Sequence, residues 1–427
     1  MDCVKVALLG CGTVGTQVAR LIGEQSKDFT ARIGAPLELC GIAVRDASVQ
    51  RDSSIDTSLL TENPSEIIAQ ADIVVELIGG IEPARTYILE AFSHGASVVT
   101  GNKALLAAHG PELYEAAAKA QVDLYYEASV AGAIPVVYGL RESLAGDRIT
   151  HVLGIVNGTT NYILDEMAVN GLSFDEALKQ AQDLGYAEAD PTADVDGLDA
   201  AAKCAILASL AFHTRACIDD VHVQGIRDIT AHDIASAADA GYVLKLVAHA
   251  KRRGEEIELS VGPTLIPLEH PLASVHGSFN AVVVEAEAAD RLMFYGRGAG
   301  GAPTASAVLS DVVAAASHKV NGGHAPRELI YGNAQIVSVD DMQARFQLEL
   351  LVRDEIGVLT NVTGIFARYG VSISAVSQTN SREAKGICRL IVRTHEVKRR
   401  DLHAALEELS HVNFVDSVAR VMTVEEN

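Results

Sequence analysis

The sequence predicts a three-part α/β chain, and three observations carry that expectation. Short β-branched runs alternate with helical patterns up to about residue 129, longer strands and Ala-rich helices follow to 301, and a compact β-α-β-β-α-β pattern occupies 345–427. At 427 residues the chain is too long for one ordinary core, and no internal period marks a repeat protein.

In the first part, Val4–Leu9, Leu39–Val44, Ile73–Leu77, Val98–Thr100 and Leu124–Glu127 read as strands. Helices entered through a first-turn proline are expected at Pro83 and Pro111. This alternation predicts a mainly parallel sheet covered on both faces. In 130–301 the strand candidates are Ile149–Val156, Val243–Ala250, Ile257–Gly262 and Val282–Ala286. Ser173 and Glu176 have capping-box spacing for a helix ending near Gly185, and Gly197–Phe212 is the longest expected helix of this α+β unit. A glycine cluster, 296–301, leads into a Pro-started helix, 303–318, that is a candidate to return to the first domain. Asn321-Gly322-Gly323 opens an expected linker, 321–344. The last part has strands Phe346–Val352, Val371–Val376, Ile387–Arg393 and Phe414–Met422 and helices Val358–Tyr369 and Arg400–Leu409, the order of a ferredoxin-like unit.

Bulk chemistry narrows the function. A formal net charge of −22 argues against nucleic acid, which needs a basic face. Six scattered cysteines without CxxC spacing suit free thiols in a reducing compartment and offer no zinc motif. No apolar run is long enough for a membrane span, and Val4–Leu9 passes straight into glycines, as a strand does and a leader does not. The expectation is a soluble cytoplasmic enzyme.

The first strand is followed at once by Gly10-Cys11-Gly12-Thr13-Val14-Gly15 and a helical pattern. Gly10 permits the tight turn, Gly12 lets backbone approach a pyrophosphate, Gly15 lets helix and strand pack closely, and the helix N-terminus offers free N–H groups to the anion. The domain is therefore read as Rossmann-like. The second strand ends in Arg45-Asp46, so a 2′-phosphate contact by Arg45 favours NADP, with NAD also compatible. Cys11 is read as a small residue that fits, with a reactive thiol as the alternative.

Two lysines sit in settings unlike a solvated surface. Lys103 follows a strand where an open α/β sheet places its ligand crevice, and Lys203 lies inside an Ala-rich helix, four residues after Asp199. An ordinary ion pair would explain the Asp199–Lys203 spacing equally well. Five carboxylates in the twelve residues from Glu188 to Asp199 (Glu188, Asp190, Asp194, Asp196, Asp199) raise the functional reading. Some can merely favour a helix start; others can bind an ammonium group, and a desolvated lysine beside them can exchange a proton near neutral pH.

These tracts, together with Thr100-Gly101-Asn102-Lys103, Tyr126-Glu127-Ala128-Ser129, Asn157-Gly158-Thr159-Thr160, Gly185-Tyr186-Ala187-Glu188 and Gly300-Gly301-Ala302-Pro303, resemble the homoserine dehydrogenase family, in the family's order, from Val4 to about Asn333. Gly101 stands where the family more often has alanine. The resemblance implies that Lys203 is the general acid/base, with Lys103 its partner. Glu188 and Asp199 would hold the substrate amino group, Tyr186 and Asp194 would line the pocket, and Asn157, Gly158 and Thr159 would form the wall beside the nicotinamide. Gly10, Gly12, Thr13, Val14, Gly15, Arg45, Lys103 and Gly300 are the expected cofactor contacts. The resemblance also implies a monovalent cation such as Na+ on the carbonyls of Glu127, Val130, Gly132 and Ile134; a plain domain-crossing turn is the alternative there. The implied reaction interconverts aspartate semialdehyde and homoserine in a homodimer or homotetramer.

Leu351-Val352-Arg353-Asp354-Glu355-Ile356-Gly357-Val358-Leu359 is similar to the strand–loop–helix opening of ACT domains. Asp354, Gly357, Val358, Leu359 and Gln378 are the expected regulatory residues: the helix N-terminus can receive a carboxylate and Asp354 an amino group. By resemblance the effector is threonine; a dimerisation module without a ligand is the alternative. Two rival readings of the whole chain are another amino-acid dehydrogenase and a catalytically silent sensor. The combination of Lys103, Glu188 and Lys203 argues against both.

Overall fold

The computed structural model describes residues 3–326, 331, 332, 334–380 and 386–426. Residues 327–330 and 333 of the expected linker lie outside the described residues, as do the side chains of Thr379 and Asn380.

Six parallel strands form the first sheet, in spatial order Leu60–Thr61, Leu37–Ala43, Val4–Leu9, Ile73–Glu76, Ser97–Thr100, Leu124–Tyr125. This is the doubly wound order in which chain direction across the sheet reverses beside the first strand, opening a crevice at the strands' carboxyl ends. Both faces of Val4–Leu9 are covered. Val4, Val6 and Leu8 face one core and Ala7 and Leu9 the other, as a period of two dictates. The helix Gly301–Asn321 closes the first of these cores with Ala305, Val308, Val312 and Ala315, fully buried at helical spacing.

The second sheet runs Asp290–Arg297, Phe279–Ala286, Ile149–Ile155, Tyr242–Arg253, Glu256–Pro267, and then continues through Val415–Val424, Gln343–Arg353, Ile387–Thr394 and Ile373–Asn380. Its first five strands are antiparallel and carry the helices Gly158–Asn170 and Leu198–Phe212. The last four are the βαββαβ unit, whose helices Val358–Arg368 and Arg399–Ser410 cover one face. The two groups join along a short parallel seam, Thr264 opposite Thr423 and Leu265 opposite Val424.

Three local expectations are corrected. No helix starts at Pro111: the Asn102 side chain accepts from Leu105 N at 3.1 Å and caps a helix, Lys103–Ala120, that runs through the proline. Proline forfeits one main-chain bond there, but Leu105, Leu106, Leu113 and Ala117 are buried around it. The strand expected to reach Glu127 ends at Tyr125, and Glu127–Ser129 makes a single helical turn whose Glu127 N–H donates to Asp311 at 2.8 Å. The edge strand Asp290–Arg297 was not expected, because its half-exposed, charged residues show no clean alternation. The Ser173–Glu176 capping box forms and starts the helix Phe174–Asp183.

Candidate active site

At the end of the first strand Gly10 adopts φ +101, and a Cβ there would stand 2.8 Å from the Leu77 carbonyl oxygen. A Cβ on Gly15 would reach within 2.1 Å of the Gly10 carbonyl oxygen. Beside Gly12 no protein atom lies within 4 Å of a Cβ position, so ligand can approach its backbone. The helix begins at Thr13 with no side-chain cap, and Val14 follows in its first turn. A Cβ on Gly301 would stand 3.1 Å from the Thr13 carbonyl oxygen, so a second helix N-terminus, preceded by Gly300, adjoins the first. Two uncapped N-termini at one spot make an anion site.

The adjoining cleft, about 510 Å³, is lined by Gly10, Gly12, Arg45, Arg51, Leu77 and Tyr87 among others. Arg45 is exposed at its mouth. Asp46, the rival determinant, is engaged in its own turn, accepting from Ser48 N at 2.8 Å and from Ser48 Oγ at 2.6 Å. Arg51, which the sequence did not single out, donates to the carbonyls of Cys11 and Asp46, both at 3.2 Å. It lies in an irregular loop, and only its charge could have drawn attention to it. Cys11 is buried with Sγ 3.7 Å from Thr16 Oγ1, the plain packing reading.

Lys103 and Lys203, a hundred positions apart, meet on one carboxylate. Lys103 Nζ donates to Asp199 Oδ1, and Lys203 Nζ donates to Asp199 Oδ2 at 2.8 Å and to the Val156 carbonyl at 2.6 Å. Burial lowers the Lys203 pKa, Asp199 raises it and Lys103 lowers it again; the net displacement is downward. Burial alone would raise the Asp199 pKa, but Lys203 and Lys103 outweigh it and hold the carboxyl well below the usual range. An ammonium has three N–H donors. Two of those on Lys203 are used by Asp199 and Val156, which leaves one for a substrate oxygen.

Asn157 completes the cluster. Its side-chain NH2 donates to Asp194 at 2.7 Å and Asp199 at 2.9 Å, and its carbonyl oxygen caps the helix Gly158–Asn170 by accepting from Thr160 N at 2.9 Å. A Cβ on Gly158 would stand 2.7 Å from the Ser278 carbonyl oxygen, and the Thr159 hydroxyl donates to the Tyr186 carbonyl at 2.7 Å. Tyr186 is exposed, its ring 5.0 Å from that of Tyr162, and Glu188 is exposed on the same segment. The other carboxylates of this tract separate: Asp190 accepts from Thr192 N at 3.1 Å, and Asp196 pairs with Arg227. The Val156 carbonyl had no signal in the sequence, since any residue supplies one.

Glu127, Val130, Gly132 and Ile134 lie buried in one loop. Ala131 and Gly132 are consecutive left-handed residues, with φ 55 and 58. Glu127's carboxylate accepts from Val137 N at 3.0 Å and Tyr138 N at 2.8 Å; burial nevertheless pushes its pKa up to about 7. In the tail, Gly357 (φ 92) precedes the helix Val358–Arg368, with Val358 buried and Leu359 and Ile356 exposed. Asp354 is exposed, its N–H donating to the Gly386 carbonyl at 3.0 Å, and Gln378 Nε2 donates to Cys388 Sγ at 3.1 Å. Burial, and then the charge of Asp354, raise the Cys388 thiol pKa.

A dinucleotide-type crevice opening beside a lysine pair that shares one buried carboxylate defines a nicotinamide-dependent oxidoreductase. The comparisons agree and are more specific. The homoserine dehydrogenase NAD-binding model matches residues 10–127, the homoserine dehydrogenase model 135–313, and a model of the acetohydroxyacid synthase small-subunit-like ACT domain 348–415. Homoserine dehydrogenase of Corynebacterium glutamicum is 52% identical over 99% of this chain and 96% of its own. The crystal structure of a homoserine dehydrogenase from Thiobacillus denitrificans superposes with TM-score 0.93 at 36% identity, covering 100% of this chain and 99% of that one. A hyperthermophilic archaeal homoserine dehydrogenase in complex with NADPH matches 73% of this chain and 97% of its own, with TM-score 0.62 and 28% identity. The chain belongs to the homoserine dehydrogenase family, NAD(P)-dependent oxidoreductases, and carries an ACT-like domain at its C-terminal end. No helix among its described residues is long and apolar enough to cross a membrane.

Proposed function

We propose that this chain interconverts L-aspartate 4-semialdehyde and L-homoserine, within threonine, methionine and isoleucine biosynthesis, with NADP preferred over NAD. The observation that carries the reading is the Lys103–Asp199–Lys203 bridge beside the cofactor crevice. When bound, the nicotinamide exchanges a hydride with the carbonyl carbon. Lys203 supplies the proton to the carbonyl oxygen through its remaining N–H, and in the reverse direction its neutral amine receives it. Asp199 holds Lys203 in place and tunes its pKa, while Lys103 positions the substrate and the nicotinamide end of the cofactor. Glu188 and Asp199 take the substrate ammonium, with Asp194, Tyr186, Gly158 and Thr159 completing the wall. Gly10, Gly12, Thr13, Val14, Gly15 and Gly300 would hold the pyrophosphate, and Arg45, helped by Arg51, the 2′-phosphate. The Asp46 turn supports that preference.

A monovalent cation such as Na+ on the carbonyls of Glu127, Val130, Gly132 and Ile134 would offset the buried acids Glu127 and Asp311, whose pKa burial also raises. The division into 1–129 with the returning helix 303–318, 130–301, 321–344 and 345–427 is supported by the shared core of Gly301–Asn321 with the first sheet. The ACT-like domain would bind threonine at Asp354, Gly357, Val358, Leu359 and Gln378, and exposed Ile356 and Leu359 suit a second copy packing there. The edge strand Asp290–Arg297, with exposed Tyr295, supports a homodimer or homotetramer. The test is the appearance of reduced nicotinamide with homoserine and NADP+ at alkaline pH, with and without threonine. A homoserine-dependent rise suppressed by threonine is expected. Folded protein that gives no rise would sink the substrate assignment, and a rise indifferent to threonine would sink the effector.

A further inference from the structure

Away from the crevice, where the ACT-like domain meets the catalytic sheet, two histidines and a carboxylate face one another. His151 lies on the strand Ile149–Ile155, His249 on Tyr242–Arg253, and Glu425 just after the last strand of the ACT-like domain, Val415–Val424. A ring nitrogen from each histidine and a Glu425 carboxylate oxygen lie within 4.8 Å of one another. His151 is 5% exposed, and its Nε2 has no hydrogen-bond partner. A buried orphan nitrogen normally costs free energy, so it calls for a ligand.

The rest of the geometry is that of a ligand set. His249 Nε2 is 3.1 Å from Thr264 Oγ1, which leaves Nδ1 facing Glu425 Oε2 at 3.4 Å. A tetrahedral ion with bonds of about 2.1 Å holds its ligand atoms about 3.4 Å apart. On the far side of the His151 ring, Nδ1 faces Glu285 Oε2 at 3.7 Å, the carboxylate–histidine backing common behind metal-bound imidazoles. Burial, then the neighbouring His151, Lys251 and Arg399, lower the His249 pKa. Lys251 is itself paired with Glu396 at 3.6 Å and Arg345 with Glu426, so two of the cations lining the cavity already have carboxylate partners.

We propose that His151, His249 and Glu425 bind one divalent transition-metal ion, Zn2+ or a chemical neighbour, which pins the end of the ACT-like domain to the catalytic sheet. Two imidazoles and a carboxylate select such an ion over Mg2+ or Ca2+, which prefer all-oxygen shells. The seam it would reinforce is short: two residue pairs, plus Glu425 N–H donating to the Leu265 carbonyl at 2.9 Å. The site also adjoins the catalytic helix, since the His249 carbonyl accepts from Cys204 Sγ at 3.5 Å, next to Lys203.

The experiment is titration of Co2+ into full-length, untagged, chelator-treated protein, followed by its visible ligand-field bands, with Zn2+ competition and the thermal midpoint as a second readout. One equivalent should bind, Zn2+ should displace it, and Zn2+ should raise the midpoint. Glu425→Gln and His151→Gln should each weaken binding by more than about tenfold while circular dichroism and homoserine turnover stay unchanged. Absence of stoichiometric binding, binding by both variants as tight as by the unmutated protein, or a sulfur-to-cobalt charge-transfer band placing the ion on thiols would each overturn the proposal.

Discussion

The middle of the chain contains two buried lysines with nearly the same shell. Lys203 donates to the Val156 carbonyl at 2.6 Å and to Asp199; Lys245 donates to the Val275 carbonyl at 2.7 Å and lies 3.7 Å from Asp165. Burial lowers the pKa of both. What separates them is what else shares the carboxylate. Asp199 also receives Lys103 from the cofactor domain and Asn157 from a helix start, so its lysine sits where two domains meet. Asp165 instead accepts from Gly277 N at 2.8 Å and lies 2.9 Å from His276 Nδ1, so its lysine ties a helix to a turn. A buried lysine with a carboxylate is therefore not a catalytic signature; its place beside the crevice is.

The sharpest break between the two comes from removing each amine. Lys203→Ala should lower kcat by about 10²–10⁴-fold, the usual worth of a positioned acid/base, with NADP(H) affinity by fluorescence near normal. A fully active variant would end its catalytic assignment. Next in size, Asp199→Asn removes the charge that raises the Lys203 pKa. Reduction of the aldehyde needs protonated Lys203, so its rate falls as pH rises through that pKa. In the variant this alkaline limb should move to lower pH, as should the acidic limb of homoserine oxidation, which needs the neutral amine. An unmoved pH–rate profile would mean that Lys203 is not the titrating group.

A smaller effect tests whether the crevice beside Lys203 is the cofactor's. Arg45→Ala should weaken NADP(H) by about tenfold, the value of one charged hydrogen bond, and NAD(H) far less. Equal losses in direct binding would remove the 2′-phosphate contact.

Legibility followed locality. The glycine loop, the Ser173 capping box and the βαββαβ order are short-range patterns, and each was readable because turn, cap and strand chemistry is local. The Asp199–Lys203 pair was visible as helical spacing, but Lys103 was joined to it only through the family resemblance, because 96 residues separate Lys103 from Asp199. Pro111 misled because a helix can carry an internal proline when its cap and buried face hold. Lys245 left no mark: on a strand, one polar residue among apolar ones looks like an ordinary outward position, yet it is 3% exposed. Pairing of distant residues, which decides function here, is fixed by topology and not by spacing.

Lys245→Met should therefore leave kcat within about twofold and act on stability, by about 1–3 kcal/mol, as the Val275 carbonyl loses its shorter bond inside the fold and keeps the one from Asn161 Nδ2 at 3.3 Å. The loss stays modest because Asp165 keeps its other two partners. The pH dependence has a definite sign. The Lys245 pKa is lowered in the fold, so between that value and the ordinary lysine value of about 10.4 the unfolded chain binds the extra proton. Raising the pH through that window stabilises the wild type, and the variant should lack this increment. Denaturant unfolding at several alkaline pH values, beside turnover at each, checks both halves. A large fall in kcat with unchanged stability would make Lys245 a second catalytic amine and dissolve the distinction between the two lysines.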